Sequence, residues 1–158
     1  MKLKSLFKTS VITATVGLLI AYHTAVFAEG TMEDDVTTDD WRTYVQMDLD
    51  NGYYESALER LGDIKGEQEA ESADWHNYMG YTLRKQEEPD LAAAETHYKK
   101  ALELKADHKG ALEYYGELKL LQNDLASAKA LMKTLLEACP ESCEELEELE
   151  TSILEYSK

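Results

Sequence analysis

The residues of this sequence best suited to chemistry are two cysteines and three histidines. Cys139 and Cys143 are the two cysteines of the chain and are separated by three residues. In an oxidising compartment such a pair usually forms a disulfide, and closing so short a loop contributes roughly 2 kcal/mol by chain-entropy arithmetic. A reactive dithiol and a soft-metal site, such as one for copper, remain as alternatives. The C-x-x-x-C spacing differs from the C-x-x-C of thioredoxin-like motifs.

The histidines and the acidic residues give weaker signals. His76, His97 and His108 include no pair at i, i+4, so a helical metal site is not predicted. The acidic run at residues 144–150 has the pattern of the solvated face of a helix. The sequence has no Ser-His-Asp grouping, phosphate loop or zinc-protease motif. We therefore expect neither an enzyme nor a bound cofactor or metal.

The first 28 residues have the features of a secretory signal. Three lysines precede a largely apolar run at residues 11–27, and Val26 and Ala28 have the small side chains that a signal peptidase requires before Glu29. We expect cleavage after Ala28 and a periplasmic or secreted mature chain. An uncleaved anchor is the alternative, because the run approaches spanning length.

The remaining chain is strongly acidic. The whole sequence has 32 acidic and 16 basic residues, and removing residues 1–28 with their three lysines leaves a net charge of −19. Such a surface repels nucleic acid and anionic lipid, so we expect neither as a partner, and no membrane association after cleavage. Residues 29–37 are acidic and lack apolar periodicity, which predicts a flexible leader. Residues 38–158 suffice for one domain.

Apolar residues recur at helical spacing in paired stretches that must position any site. The pairs are 41–49 with 54–64, 75–83 with 91–102, and 112–120 with 125–135, followed by a last helix at 146–154. Asp90 is placed as an N-cap, and Ser142 begins the spacing of a capping box. No stretch alternates with period two for long, so the sequence predicts an all-α fold.

A weak self-similarity relates the three helix pairs. Gly80 and Gly116 are 36 residues apart, and Ala57, Ala94 and Ala128 are separated by 37 and 34 residues. A period in this range, with small residues at fixed points, is typical of arrays of helical hairpins. Such arrays make surfaces for holding partners and carry no catalytic machinery by default.

At these positions the sequence resembles the tetratricopeptide repeat family. The unit at 109–142 matches the family motif without a gap at Leu112, Tyr115, Gly116, Ala128, Met132, Leu135 and Pro140. The unit at 73–108 needs two extra residues in its turn, and the unit at about 38–72 has Val45 where the family has a small residue. The resemblance implies a right-handed α-solenoid of three helical hairpins, closed by a capping helix at 143–157.

The same resemblance implies where a partner would bind. Ligand-facing residues of the family lie mainly on the first helix of each pair, and carried onto this sequence they include Arg42, Gln46, Asn77, Tyr81, Arg84, Lys85, Glu113 and Glu117. We therefore predict a non-catalytic scaffold that holds a protein or peptide in a concave groove, with the basic residues anchoring acidic or carbonyl groups. The alternatives are a redox or copper-handling accessory protein acting through the cysteine pair, and a subunit of an envelope assembly.

Overall fold

Seven α-helices form the described part of this computed structural model, residues 40–65 and 72–158, and no strand occurs there. They are α1 Asp40–Asp50, α2 Tyr54–Asp63, α3 Ala73–Lys85, α4 Leu91–Leu104, α5 Lys109–Leu121, α6 Leu125–Ala138 and α7 Glu144–Tyr156. The predicted all-α class is confirmed. The predicted signal peptide and leader lie outside the described residues.

Polar side chains fix the starts of several helices by accepting otherwise unpaired backbone N–H groups. Asp90 Oδ1 accepts from the backbone N–H of Ala93 at 2.9 Å, as the sequence predicted. The capping box predicted at Ser142 is wrong, because α7 begins after Cys143 without a side-chain cap. Ser142 instead has a positive φ of 83° and donates from its hydroxyl to Glu147 at 3.0 Å.

The helices pack in sequence order. Each helix contacts the next one along the chain, α3 also contacts α5, and α5 also contacts α7. Turns of three to five residues join α1 to α2, α3 to α4 and α5 to α6, lengths that favour hairpins of neighbouring helices. Among the first helices of the three pairs, α3 therefore lies against α5, and α7 lies against α5, the last of them.

Two glycines permit close helix approach, as their spacing predicted. A Cβ on Gly80 would lie 2.7 Å from the ring of Tyr98 in α4, and one on Gly116 would lie 2.6 Å from a methyl of Leu149 in α7. Carbon atoms cannot approach so closely without displacement. Gly116 therefore seats α7 directly on α5, and this contact brings acidic residues of α7 beside the first helices.

Within 40–65 and 72–158, no helix is both long and apolar enough to cross a bilayer.

Candidate functional site

An open cavity of about 470 Å³ lies against α1, α3, α5 and α7. We call it the central cavity. Seven of the eight predicted groove residues line it: Gln46, Asn77, Tyr81, Arg84, Lys85, Glu113 and Glu117. Their spacing explains the arrangement, because residues three or four apart share one face of a helix. Asn77, Tyr81 and Arg84 form one stripe of α3, and Glu113 and Glu117 form one stripe of α5.

Arg42, the eighth predicted residue, lies beside a neighbouring cavity. Its Nε donates to Asp74 Oδ2 at 2.9 Å. The other carboxylate oxygen of Asp74 is 3.0 Å from Nε2 of His108, which begins α5. Burial opposes the charge of Asp74, but Arg42 and His108 outweigh burial and lower the pKa of this carboxyl. Arg42 thus has an internal anion as its partner and joins α1 to α3.

Two tyrosines and a buried guanidinium form one wall of the central cavity. The rings of Tyr81 and Tyr114 have centroids 4.7 Å apart. The guanidinium carbon of Arg84 lies 5.4 Å from the first ring and 5.6 Å from the second, within cation–π range. Arg84 is only 7% exposed. This wall combines flat aromatic area with a cation that is largely shielded from water.

The charge of Arg84 is already balanced within the protein. Its Nη2 lies 2.8 Å from Oε2 of Glu117, an ion pair whose direction does not make a well-formed hydrogen bond. The Nε atom is buried without a hydrogen-bond partner. Arg84 therefore keeps donor capacity at Nε, although it adds no net charge to the cavity.

Beside this wall, α5 and α7 contribute a group of carboxyl side chains that we call the acidic pole: Glu113, Glu117, Glu145 and Glu148. Glu113 is 2% exposed. Burial, with a carboxyl–carboxylate hydrogen bond to Glu148, raises the pKa of Glu113 to about 9. Glu113 is therefore protonated near neutral pH, and its carboxyl O–H donates a hydrogen bond to the carboxylate of Glu148.

Asn77 adds to the site a hydrogen-bond acceptor that has no partner within the protein. It is 6% exposed and lines the cavity, and its Oδ1 has no hydrogen-bond partner. Its amide nitrogen would be 3.1 Å from a Cβ on Gly110, so the side chain rests closely on the first turn of α5. This acceptor therefore keeps hydrogen-bonding capacity for a donor that enters the cavity.

The sequence prediction missed several lining residues, among them Tyr114, Glu145 and Glu148. Glu145 and Glu148 belong to the acidic run that was assigned to a solvated helix face, and Tyr114 follows a predicted position by one residue. The sequence contained no signal for the two glutamates, because their place at the cavity depends on how α7 packs against α5.

The cysteine pair lies away from the aromatic wall, at the join of α6 and α7. Cys139 and Cys143 are at disulfide-bonding distance, with Cα atoms 5.8 Å apart, and Cys139 is 2% exposed. Their sulfur atoms and a carboxylate oxygen of Glu145 lie within 4.8 Å of one another. Metal binding requires thiolates, so this group could hold a soft metal only after reduction of the bond.

The histidines form contacts that their spacing did not indicate. Nδ1 of His76 lies 3.0 Å from Nδ1 of His97, across α3 and α4. The ring of Trp75 flanks both imidazoles, with centroids 5.0 and 5.6 Å away. Burial, together with the charge of Lys65, lowers the pKa of His97. At this distance one Nδ1 donates a hydrogen bond and the other accepts it.

The chain matches no protein-family model and no curated protein.

Proposed function

We propose that this chain is a non-catalytic binding scaffold, and that its central cavity holds an extended segment of a partner protein. One observation carries the proposal. The cavity is open, and two of its lining residues have a buried polar atom that forms no hydrogen bond within the protein: Oδ1 of Asn77 and Nε of Arg84. Buried polar atoms are usually paired in folded proteins, so these two keep hydrogen-bonding capacity for a ligand. The amide and carbonyl groups of an extended peptide offer both the donors and the acceptors that these two side chains need.

The aromatic wall supports a protein partner in particular. Tyr81 and Tyr114 offer adjacent, half-buried rings beside Arg84. Tyrosine and arginine are enriched among the residues that dominate binding energy in protein interfaces. They also lose little conformational freedom here, because the rings and the guanidinium already pack against one another.

The proposal includes a repeat architecture and an exported location. We infer a right-handed α-solenoid like that of the tetratricopeptide repeat family, with hairpins α1–α2, α3–α4 and α5–α6 and α7 as the cap. Support comes from the sequence-order packing and from the glycines at the helix crossings. The signal predicted at residues 1–28 and the cysteine pair at bonding distance favour the periplasm or secretion. Assembly with other envelope proteins agrees with this location.

Site-directed photocrosslinking tests the proposal. A photoreactive amino acid replaces Lys85, an exposed residue at the cavity. In the matched control it replaces Lys129, an exposed residue of α6 that does not line the cavity. We expect a discrete protein adduct from position 85 that is absent from position 129. The Tyr81→Ala change should reduce the yield of this adduct. Equal labelling from both positions, or a yield that Tyr81→Ala leaves unchanged, would contradict binding in the cavity.

A further inference from the structure

The central cavity has an excess of acceptors and negative charge. Arg84 is neutralised by Glu117, and the ammonium of Lys85 lies 5.6 Å from the ring centroid of Tyr81. The other carboxyl groups of α5 and α7 at the cavity belong to Glu113, Glu145 and Glu148. This negative charge would repel anionic groups of a partner. The basic residues in the sequence had suggested the opposite preference, for acidic groups.

The buried acceptor of Asn77 points to the same kind of ligand. This side chain is more than nine-tenths buried, lines the cavity, and has an Oδ1 without a partner. A ligand group that suits both Asn77 and the carboxylates must carry several N–H donors and a positive charge. Among protein side chains only the ammonium of lysine and the guanidinium of arginine combine multiple donors, a permanent charge and no acceptor.

We propose that the acidic pole and Asn77 together form a receptor for a lysine or arginine side chain of the bound segment. This inference rests on the proposed function and names the chemistry of the partner. Arg84 and the tyrosine rings then contact the backbone and apolar parts of the same segment, while the cationic side chain enters between α3, α5 and α7.

Binding of a cation at this position displaces a proton. In the free protein Glu113 is protonated and hydrogen-bonded to Glu148, because burial and neighbouring carboxylates raise its pKa. A cation favours the ionised form, so Glu113 releases its proton to solvent as the ligand enters. The titratable and charged groups that line the cavity with Glu113 are Asp50 on α1, Tyr78, Tyr81, Arg84 and Lys85 on α3, His108 before α5, Tyr114 and Glu117 on α5, and Glu145 and Glu148 on α7.

Isothermal titration calorimetry with a defined probe tests the inference. The probe is an acetylated tetra-lysine amide, and an acetylated tetra-glutamine amide is the neutral control. Titrations at pH 6.5 and pH 7.5, in buffers of different ionisation enthalpy, count the protons released. We expect the tetra-lysine to bind with release of up to about one proton, and to bind up to about tenfold more tightly at the higher pH. The tetra-glutamine should not bind.

A matched pair of variants separates this site from general attraction to an acidic protein. Glu113→Gln should weaken tetra-lysine binding by about tenfold at pH 7.5 and abolish proton release. Glu150→Gln makes the same chemical change at an exposed position of α7 that does not line the cavity, and it should leave both quantities unchanged. If Glu113→Gln does not fold, Glu148→Gln should show the same loss of proton release.

Three outcomes would overturn the inference. They are tetra-lysine binding without proton release, equal weakening by Glu113→Gln and Glu150→Gln, and proton-linked binding of spermine or Mg²⁺ where tetra-lysine does not bind. Each leaves the proposed function standing if the adduct from position 85 still forms and depends on Tyr81. Conversely, loss of that adduct with intact proton-linked binding of tetra-lysine would contradict the proposed function alone.

Discussion

Replacing Glu113 with glutamine should stabilise the protein at alkaline pH. The carboxyl is almost fully buried, and its pKa is raised from an ordinary value of 4.5 to about 9. A pKa raised by folding means that the folded state holds the proton more tightly than the unfolded chain. The resulting stability is complete below about pH 4.5 and is lost as pH rises towards about 9. Glutamine keeps a hydrogen-bond donor towards Glu148 but has no proton to lose.

The size of the effect follows from proton linkage. One proton changes the free energy of unfolding by at most about 1.4 kcal/mol per pH unit, which gives at most about 2.7 kcal/mol between pH 6 and pH 8. Glu148 shares the charge and the open cavity admits water, so we expect about 1–2 kcal/mol. For a domain of this size that is roughly 4–8 °C in melting temperature.

Thermal unfolding followed by circular dichroism at several pH values measures this effect. Wild type should lose stability relative to Glu113→Gln as pH rises from 6 to 8. His97 acts in the opposite direction, since its pKa is lowered by burial, but it is present in both chains and cancels in the comparison. Glu150→Gln, an exposed charge control, should follow wild type. If the melting temperatures of wild type and Glu113→Gln change equally with pH, then Glu113 does not hold a proton at the acidic pole, and the prediction is wrong.

Three further predictions concern stability and use the same melting assay. Gly116→Ala should cost about 1–3 kcal/mol because the added methyl collides with α7, whereas Gly62→Ala, which meets no atom within 4 Å, should be neutral or stabilising; equal effects would contradict the close crossing. Arg84→Ala should destabilise the protein by about 2–4 kcal/mol, because it leaves the Glu117 carboxylate without its buried partner. Lys85→Ala, the control, should change stability by less than about 0.5 kcal/mol. Similar losses in both variants would show that the guanidinium does not stabilise the fold. The double serine variant of the cysteine pair should lose up to about 2 kcal/mol and keep the photocrosslink at the cavity, and loss of the crosslink in a folded variant would favour the redox or metal alternative.

The helices and one face of the site could be read from the sequence because both depend on local periodicity. Apolar residues at helical spacing predicted all seven helices, and the family positions placed Asn77, Tyr81 and Arg84 on one stripe that does line the cavity. A helix face follows from counting residues. The residues that face this stripe across the cavity cannot be found by counting, because their positions depend on how elements distant in sequence pack together.

The features that escaped prediction are all contacts between helices. The acidic run of α7 has the same sequence pattern whether it faces water or a cavity. Glu148 lies at the site because Leu149 packs closely on Gly116 and so fixes the position of α7. The ion pair of Arg84 with Glu117 and the contact of His76 with His97 likewise join residues 33 and 21 positions apart. The sequence alone therefore suggested free cations where the structure pairs them.

The binding site itself can be tested most directly by nuclear magnetic resonance of the isotope-labelled chain, titrated with the partner segment that crosslinks at position 85. The account predicts that the side-chain amide of Asn77 shifts, together with the backbone signals of Tyr81, Glu113 and Glu148. Signals from exposed residues of α4 and α6, such as Lys100 and Lys129, should stay in place. Shifts confined to α2, α4 and α6, with the Asn77 amide unchanged, would contradict binding in the central cavity.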